Sequence, residues 1–168
     1  MDQADVVALA ADHFGASLDG RARLAAVYAN AEIESRYSCV PLEWYAEPHG
    51  FAERNRLYVE GALDLLERVA LEATAKAGLG IADIEGLVVA SSTGIATPSL
   101  DALLMERLGM RRTTMRLPIF GLGCAGGVIG LARTAALARA EPSRHFLFLV
   151  VEICGLTFRL GTYRRAMP

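Results

Sequence analysis

Positive charge is not in excess anywhere in this sequence: 17 Lys and Arg stand against 19 Asp and Glu, a formal net charge of −2. Without a basic field the chain lacks the electrostatic means to hold nucleic acid or an anionic membrane, and both are excluded as partners. Long apolar runs are missing too. The most hydrophobic stretches, such as residues 146–151, are too short to cross a bilayer. The N-terminus has no basic segment leading into an apolar core, so no secretory signal is expected. Cysteine is scarce, with Cys39, Cys124 and Cys154 only, and none is spaced as CxxC. That argues against a disulfide framework and against a zinc site, and no metal is expected. Together these absences predict a reducing, cytoplasmic setting. No internal repeat, low-complexity tract or linker interrupts the chain.

What is present is apolar side chain. At 168 residues and 53% hydrophobic content, the chain can bury a core and is expected to form one domain over residues 1–168. Residues 2–14 read as a short amphipathic helix ended near Gly15, and residues 20–34 as a second helix. Residues 37–47, with Cys39, Pro41, Trp44 and Tyr45, read as irregular but partly buried. The clearest helix covers residues 52–77. There Val59, Leu63, Leu66, Ala70, Ala73 and Ala77 recur at steps of four and three, and Gly78 supplies a stop. Residues 86–90, 115–120 and 146–153 are apolar runs expected as strands. Helices over residues 98–108 and 125–140 separate them. Strand, helix, strand, helix, strand implies right-handed crossovers and a largely parallel buried sheet, so the class is α/β.

The chemistry concentrates in Gly121-Leu122-Gly123-Cys124-Ala125-Gly126-Gly127, between an expected strand and an expected helix. Glycines there allow positive φ and close approach, and the helix N-terminus offers unpaired N–H groups with a partial positive charge. Two functional readings compete. Gly121, Gly123 and Gly126 satisfy GxGxxG, and Glu152, 26 residues after Gly126, could take a ribose hydroxyl as in a dinucleotide site. Alternatively Cys124 is the point of the motif, a thiol whose thiolate is stabilised at a helix N-terminus and which acts as a nucleophile. A small buried hydrophobe between glycines is the bland alternative. The dinucleotide reading ranks second. Its fingerprint usually occupies the first strand–helix unit of a domain, and a cysteine has no task in a phosphate loop.

The core Gly123-Cys124-Ala125-Gly126-Gly127 resembles the nucleophile motif of the type III polyketide synthases, the chalcone and stilbene synthase-like enzymes. Its surroundings extend the resemblance in order. Glu32-x-x-x-Arg36-Tyr37 is similar to that family's helix-ending Arg-Tyr. Ser91-Ser92-Thr93-Gly94 followed by Pro98 is similar to its Thr-Ser-Gly…Pro turn. Leu108-Gly109 precedes the strand leading to Cys124, and Glu152-Ile153-Cys154-Gly155-Leu156-Thr157-Phe158-Arg159 is similar to its Glu-x-x-x-x-Thr-Phe-Arg block.

The resemblance implies a thiolase-like α/β/α/β/α fold, a largely parallel mixed sheet flanked by helices, of which this chain holds the N-terminal half. It implies that Cys124 accepts an acyl group from acyl-CoA and that units from malonyl-CoA are condensed onto it, with no permanently bound cofactor. Ser92, Thr97, Cys154 and Thr157 would shape the substrate cavity, although Cys154 reads equally well as a buried strand cysteine. Thr97 would reach a neighbouring subunit, implying a homodimer. Arg36, with Arg21 or Arg23, would be the candidates for coenzyme A. The family's further basic side chains here are acids and an amide, over residues 28–34.

The resemblance also places the family's catalytic His and Asn in a second half. His13, His49 and His145 lie outside any matching motif and read as surface or structural. After Arg159 the family continues into a Phe-Gly-Asp-Gly stretch, whereas this chain runs from Leu160 to Pro168 without one. Truncation after about residue 160 is therefore expected, as is an abbreviated opening strand. On this reading the isolated chain is inactive and associates with a second thiolase half or with itself. A non-catalytic dimerisation module or one half of a split enzyme is the alternative function.

Overall fold

The computed structural model describes residues 1–14 and 18–159, with side chains at 12–14, 18–21 and 24 left aside. The helix stop expected at Gly15, the side chains of His13 and Arg21, and the stretch from Leu160 onward lie outside the described residues.

The chain divides into two compact units, one of Met1–Gly50 with the segment from Phe158, the other of Phe51–Thr157. In the first, α1 (Gln3–Phe14) and α2 (Leu18–Asn30) pack together. An antiparallel bridge between Asp2 and Ser35 ties the N-terminus to the segment after α2. The second helix ends earlier than the expected 34 because Glu32 takes a positive φ of 51°. The last amides then close tight turns, Ala31 onto Tyr28 and Glu32 onto Ala29. The stretch read as irregular holds a 3-10 turn, Leu42–Ala46. There Trp44 stacks on His49 with ring centroids 3.9 Å apart, and Tyr45 meets Phe158 edge-on at 6.1 Å.

The second unit is an α/β layer. After α3 (Phe51–Lys76) come β1 (Ile84–Ser91), α4 (Leu100–Arg107), β2 (Met115–Phe120), α5 (Gly126–Ala140) and β3 (His145–Val150). The sheet order is β2-β1-β3 and both pairings are parallel. The antiparallel element of the expected mixed sheet is confined, among the described residues, to the isolated bridge in the first unit. Since the chain crosses from β1 to β2 in one direction and from β2 to β3 in the other, right-handed connections put α4 and α5 on opposite faces. Strand β1, with both neighbours and both faces covered, is buried at every position but Glu85. It is apolar without alternation for that reason.

The periodicity of α3 located the helix but set its face slightly wrong. The buried row is Tyr58, Ala62, Leu66, Ala70 and Thr74 with Leu63, while Ala73 and Ala77 are exposed. Two polar residues belong to this row because their hydrogen bonds are internal. Arg54 Nη1 donates to the carbonyl of Leu156 at 2.9 Å, and Thr74 Oγ1 donates to that of Ala70 at 2.9 Å.

Helix α5 shows the opposite pattern. Only Gly126, Gly130 and Thr134 are buried, a stripe of small residues that brings the helix close to the sheet. A Cβ on Gly130 would lie 2.5 Å from the Phe148 ring. Most of the remaining circumference is apolar yet exposed, with Val128 at 75% and Leu131 at 60%.

Candidate active site

All three strands carry the site, and they end at the same edge of the sheet. Strand β1 delivers Ser91 and then Ser92, Thr93 and Gly94. Strand β2 delivers the glycine-rich turn, and β3 runs on through Glu152 to a 3-10 turn, Cys154–Thr157. The expected third strand over 146–153 stops at Val150. One further amide, Val151, reaches the Ala90 carbonyl at 3.1 Å, and beyond that β1 has no backbone left to pair. Cys154 therefore is not a buried strand cysteine. It is exposed in the turn, where Thr157 Oγ1 donates to its carbonyl at 2.7 Å.

Cys124 is exposed. A 3-10 turn, Gly123–Ala125, stands between β2 and α5, so Cys124 precedes the N-cap residue Ala125 and does not begin the helix itself. The turn is made possible by Gly121 at φ 82° and Gly123 at φ 52°. At both positions a Cβ would meet only open space, so the requirement is left-handed backbone and not room.

Hydroxyls hold this elbow. The Gly123 amide donates to Ser92 Oγ at 3.0 Å, immediately before Cys124 in the chain. The Ser92 amide in turn donates to Glu152 Oε1 at 2.8 Å, and Thr93 Oγ1 donates to Glu152 Oε2. Thr93 Oγ1 also accepts the Ile153 amide at 3.1 Å. One carboxylate thus clamps the exit of β1 to the exit of β3. One residue back, Ser91 Oγ donates to the Val151 carbonyl at 2.6 Å, which leaves its lone pairs to accept the Tyr58 phenol at 2.7 Å. Burial pushes the Tyr58 phenol above its ordinary range, with the Ser91 hydrogen bond working against that shift.

Of the residues named from sequence, the structure links Ser92 to the Cys124 turn, and it places Cys154 and Thr157 together in one turn. Thr97 is exposed on the loop between β1 and α4, in a cis peptide with Pro98. Arg36 belongs to the first unit, where Nε donates to Gln3 Oε1 at 2.7 Å and the guanidinium lies 5.7 Å from the Tyr28 ring centroid. The Cys39 thiol, also in that unit and exposed at the surface, is pushed up from its ordinary value by partial desolvation, against a hydrogen bond to its own backbone. A cleft of about 270 Å³ beside the β1–α4 loop is lined by Tyr58, Ser91, Ile95, Leu100, Asp101 and Phe120 among others. Neither Cys124 nor any of the four expected cavity residues lines that cleft.

The dinucleotide alternative gains no support. The Glu152 carboxylate is engaged by Ser92 and Thr93, and the Gly123 amide is turned onto a serine hydroxyl within the protein. Sequence reading had named Glu152 but not its clamp. It missed Tyr58, Ser91 and Thr93 as parts of the site. The available signal was three consecutive hydroxyls at a strand end facing an acid at the end of another. Among the described residues no group of three or more His, Cys, Asp or Glu is placed to hold a metal. No described helix is long and apolar enough to cross a membrane.

This architecture is that of the thiolase-like type III polyketide synthases. The structure of 1,3,6,8-tetrahydroxynaphthalene synthase from Streptomyces coelicolor A3(2) superposes with a TM-score of 0.87 at 28% identity, over 95% of this chain and 45% of that one. Germicidin synthase from Streptomyces coelicolor gives 0.81 at 27% identity, over 89% and 47%. In sequence, the chain is 39% identical over 157 residues to a 1,3,6,8-tetrahydroxynaphthalene synthase of Streptomyces peucetius subsp. caesius, covering 94% of this chain and 42% of that protein. It is 34% identical over 131 residues to phloroglucinol synthase of Pseudomonas fluorescens Pf-5, covering 78% and 38%. Residues 32–166 match the family described as chalcone and stilbene synthases, N-terminal domain. The chain belongs to the chalcone and stilbene synthase family, and it spans about two fifths of the length of these curated relatives.

Proposed function

We propose that this chain supplies the nucleophile half of a type III polyketide synthase, with Cys124 as the acyl carrier. The Cys124 thiolate attacks the thioester carbonyl of an acyl-CoA, and coenzyme A leaves as its thiolate. Malonyl-CoA then loses carbon dioxide, and the resulting carbanion attacks the Cys124 thioester, forming the new carbon–carbon bond and releasing the cysteine. The observation that carries the reading is the exposed Cys124 on a left-handed glycine elbow, just ahead of a helix N-terminus and at the end of a buried parallel sheet. Ser92, Thr97, Cys154 and Thr157 are proposed to border the growing chain, and Arg36 to contribute to coenzyme A binding.

Completion by further protein is part of the proposal. A second thiolase-type half covers the apolar circumference of α5 and brings the histidine and asparagine that family resemblance assigns to it, and the assembled protein pairs as a homodimer. Support comes from the exposed Val128, Ile129 and Leu131 and from the share of its relatives that this chain spans. A non-catalytic dimerisation module is the second reading, favoured by the same exposed helix face.

Intact-mass spectrometry after incubation with acyl-CoA and malonyl-CoA tests the assignment. The chain alone is expected to stay unlabelled. Supplied with a C-terminal half from the family, it is expected to gain one acyl group that Cys124→Ala abolishes. An adduct that survives Cys124→Ala would overturn the nucleophile, and no adduct in either setting would favour the non-catalytic module.

A further inference from the structure

The clamp around Glu152 reaches the nucleophile turn through a single side chain. The carboxylate fixes the Ser92 backbone by accepting its amide at 2.8 Å. Ser92 Oγ then accepts the Gly123 amide at 3.0 Å, one residue before Cys124. We propose that Ser92 and Glu152 are positioning residues for Cys124, a two-step tether that holds the glycine elbow in one conformation and with it the backbone that carries the thiol. The proposal rests on the reading of Cys124 as nucleophile, and it gives Ser92 a task beyond bordering a cavity.

The geometry requires such a restraint. Gly121 and Gly123 both lie at positive φ with open space where a Cβ would be, so neither steric contact nor β-carbon packing confines them. Glycine has the most conformational freedom to lose, and a turn built on two of them stays in one conformation only if its polar groups are held. The Gly123 amide is the polar group so held, and its acceptor is the first residue past the end of the central strand. Glu152 adds a second fixed point, because it binds Thr93 Oγ1 as well as Ser92, and Thr93 in turn accepts the Ile153 amide. The tether therefore joins the ends of all three strands at the nucleophile.

Site-resolved alkylation of the full chain by iodoacetamide, read by peptide mass, reports on Cys124 without requiring acyl transfer. Cys39, in the other compact unit, is the internal control. Losing the one neutral hydrogen bond that holds the Gly123 amide is expected to slow alkylation of Cys124 at neutral pH by about three- to tenfold in Ser92→Ala. The rate at Cys39 should not change. Ser92→Thr keeps the hydroxyl and is expected to restore the rate. Because Glu152 acts through Ser92, the double variant Ser92→Ala/Glu152→Ala should be no slower than Ser92→Ala alone.

Thermal melting of each variant identifies any that fail to fold, and Ser92→Thr then decides on its own whether the hydroxyl matters. Wild-type or faster alkylation in a folded Ser92→Ala overturns the tether, as does failure of Ser92→Thr to restore the rate. Multiplying effects of the two substitutions would overturn the relay from Glu152. If alkylation follows the proposal while acyl-CoA never labels Cys124, the tether stands and the polyketide synthase reading falls.

Discussion

Replacing Ser91 by alanine deletes two buried hydrogen bonds with one atom. The hydroxyl donates to the Val151 carbonyl at 2.6 Å and accepts from the Tyr58 phenol at 2.7 Å. Tyr58 is 2% exposed and Val151 7% exposed, so water cannot easily replace either partner. At about 1–3 kcal/mol for each orphaned polar group, Ser91→Ala is expected to cost about 2–5 kcal/mol of stability. Tyr58→Phe removes only the phenol oxygen and leaves the bond to Val151 intact, so it should cost about 1 kcal/mol. Once the phenol is gone, Ser91→Ala orphans one group and not two. The double variant should therefore be less destabilised than the sum of the singles, by about 1–2 kcal/mol. Equilibrium urea unfolding of the four proteins measures this, provided the denaturant slopes agree. Equal costs for the two single variants, or strict additivity, would refute the assigned direction of the hydrogen-bond chain.

Two further outcomes follow from groups beside the same loop. Asp101 is wholly buried and its Oδ2 accepts Arg116 Nε at 2.6 Å, whereas the arginine side chain is 40% exposed. Arg116→Met strands a buried carboxylate and should cost about 3 kcal/mol. Asp101→Asn frees a guanidinium that can turn to water and should cost less, and the reverse ranking in urea unfolding would contradict this account. The Tyr58 phenol is raised in the folded state, by burial first, so the unfolded chain releases that proton earlier as pH climbs. Stability from this group is complete below about pH 10 and is lost as pH rises towards the higher folded value. Tyr58→Phe should flatten that part of the alkaline unfolding curve, and an unchanged slope would count against it.

Periodicity and composition made the α/β order of the second unit legible. Apolar runs without alternation located β1 and β3, and Met115–Phe120 matched its expected strand end for end. The errors have physical causes. Ala73 and Ala77 fit the apolar row of the α3 sequence because alanine carries no signal of its own, while Tyr58 and Thr74 do not, because their burial depends on partners distant in sequence or hidden in the helix backbone. The overlong third strand failed because hydrophobicity continues through Val151 and Ile153 after β1 has run out. At the site, the motif around Cys124 stood out in sequence, but the interposed 3-10 turn did not. The clamp was out of reach for another reason: Ser92 and Glu152 are 60 positions apart, and their union depends on two strands ending level.

Ser91, Ser92 and Thr93 are consecutive, and each commits its hydroxyl to a different destination: one to the core beside Tyr58, one to the nucleophile turn, one to the carboxylate from β3. Since alternate residues leaving a strand face opposite ways, adding or deleting a single residue here would send all three hydroxyls to the wrong addresses at once. The junction therefore has no slack in length. Side-chain identity can drift at these positions, serine to threonine for instance, but the spacing from Ala90 to Gly94 cannot. Variation in loop length within this unit has to be accommodated elsewhere, as at Thr97 and Pro98, which are exposed on the way into α4.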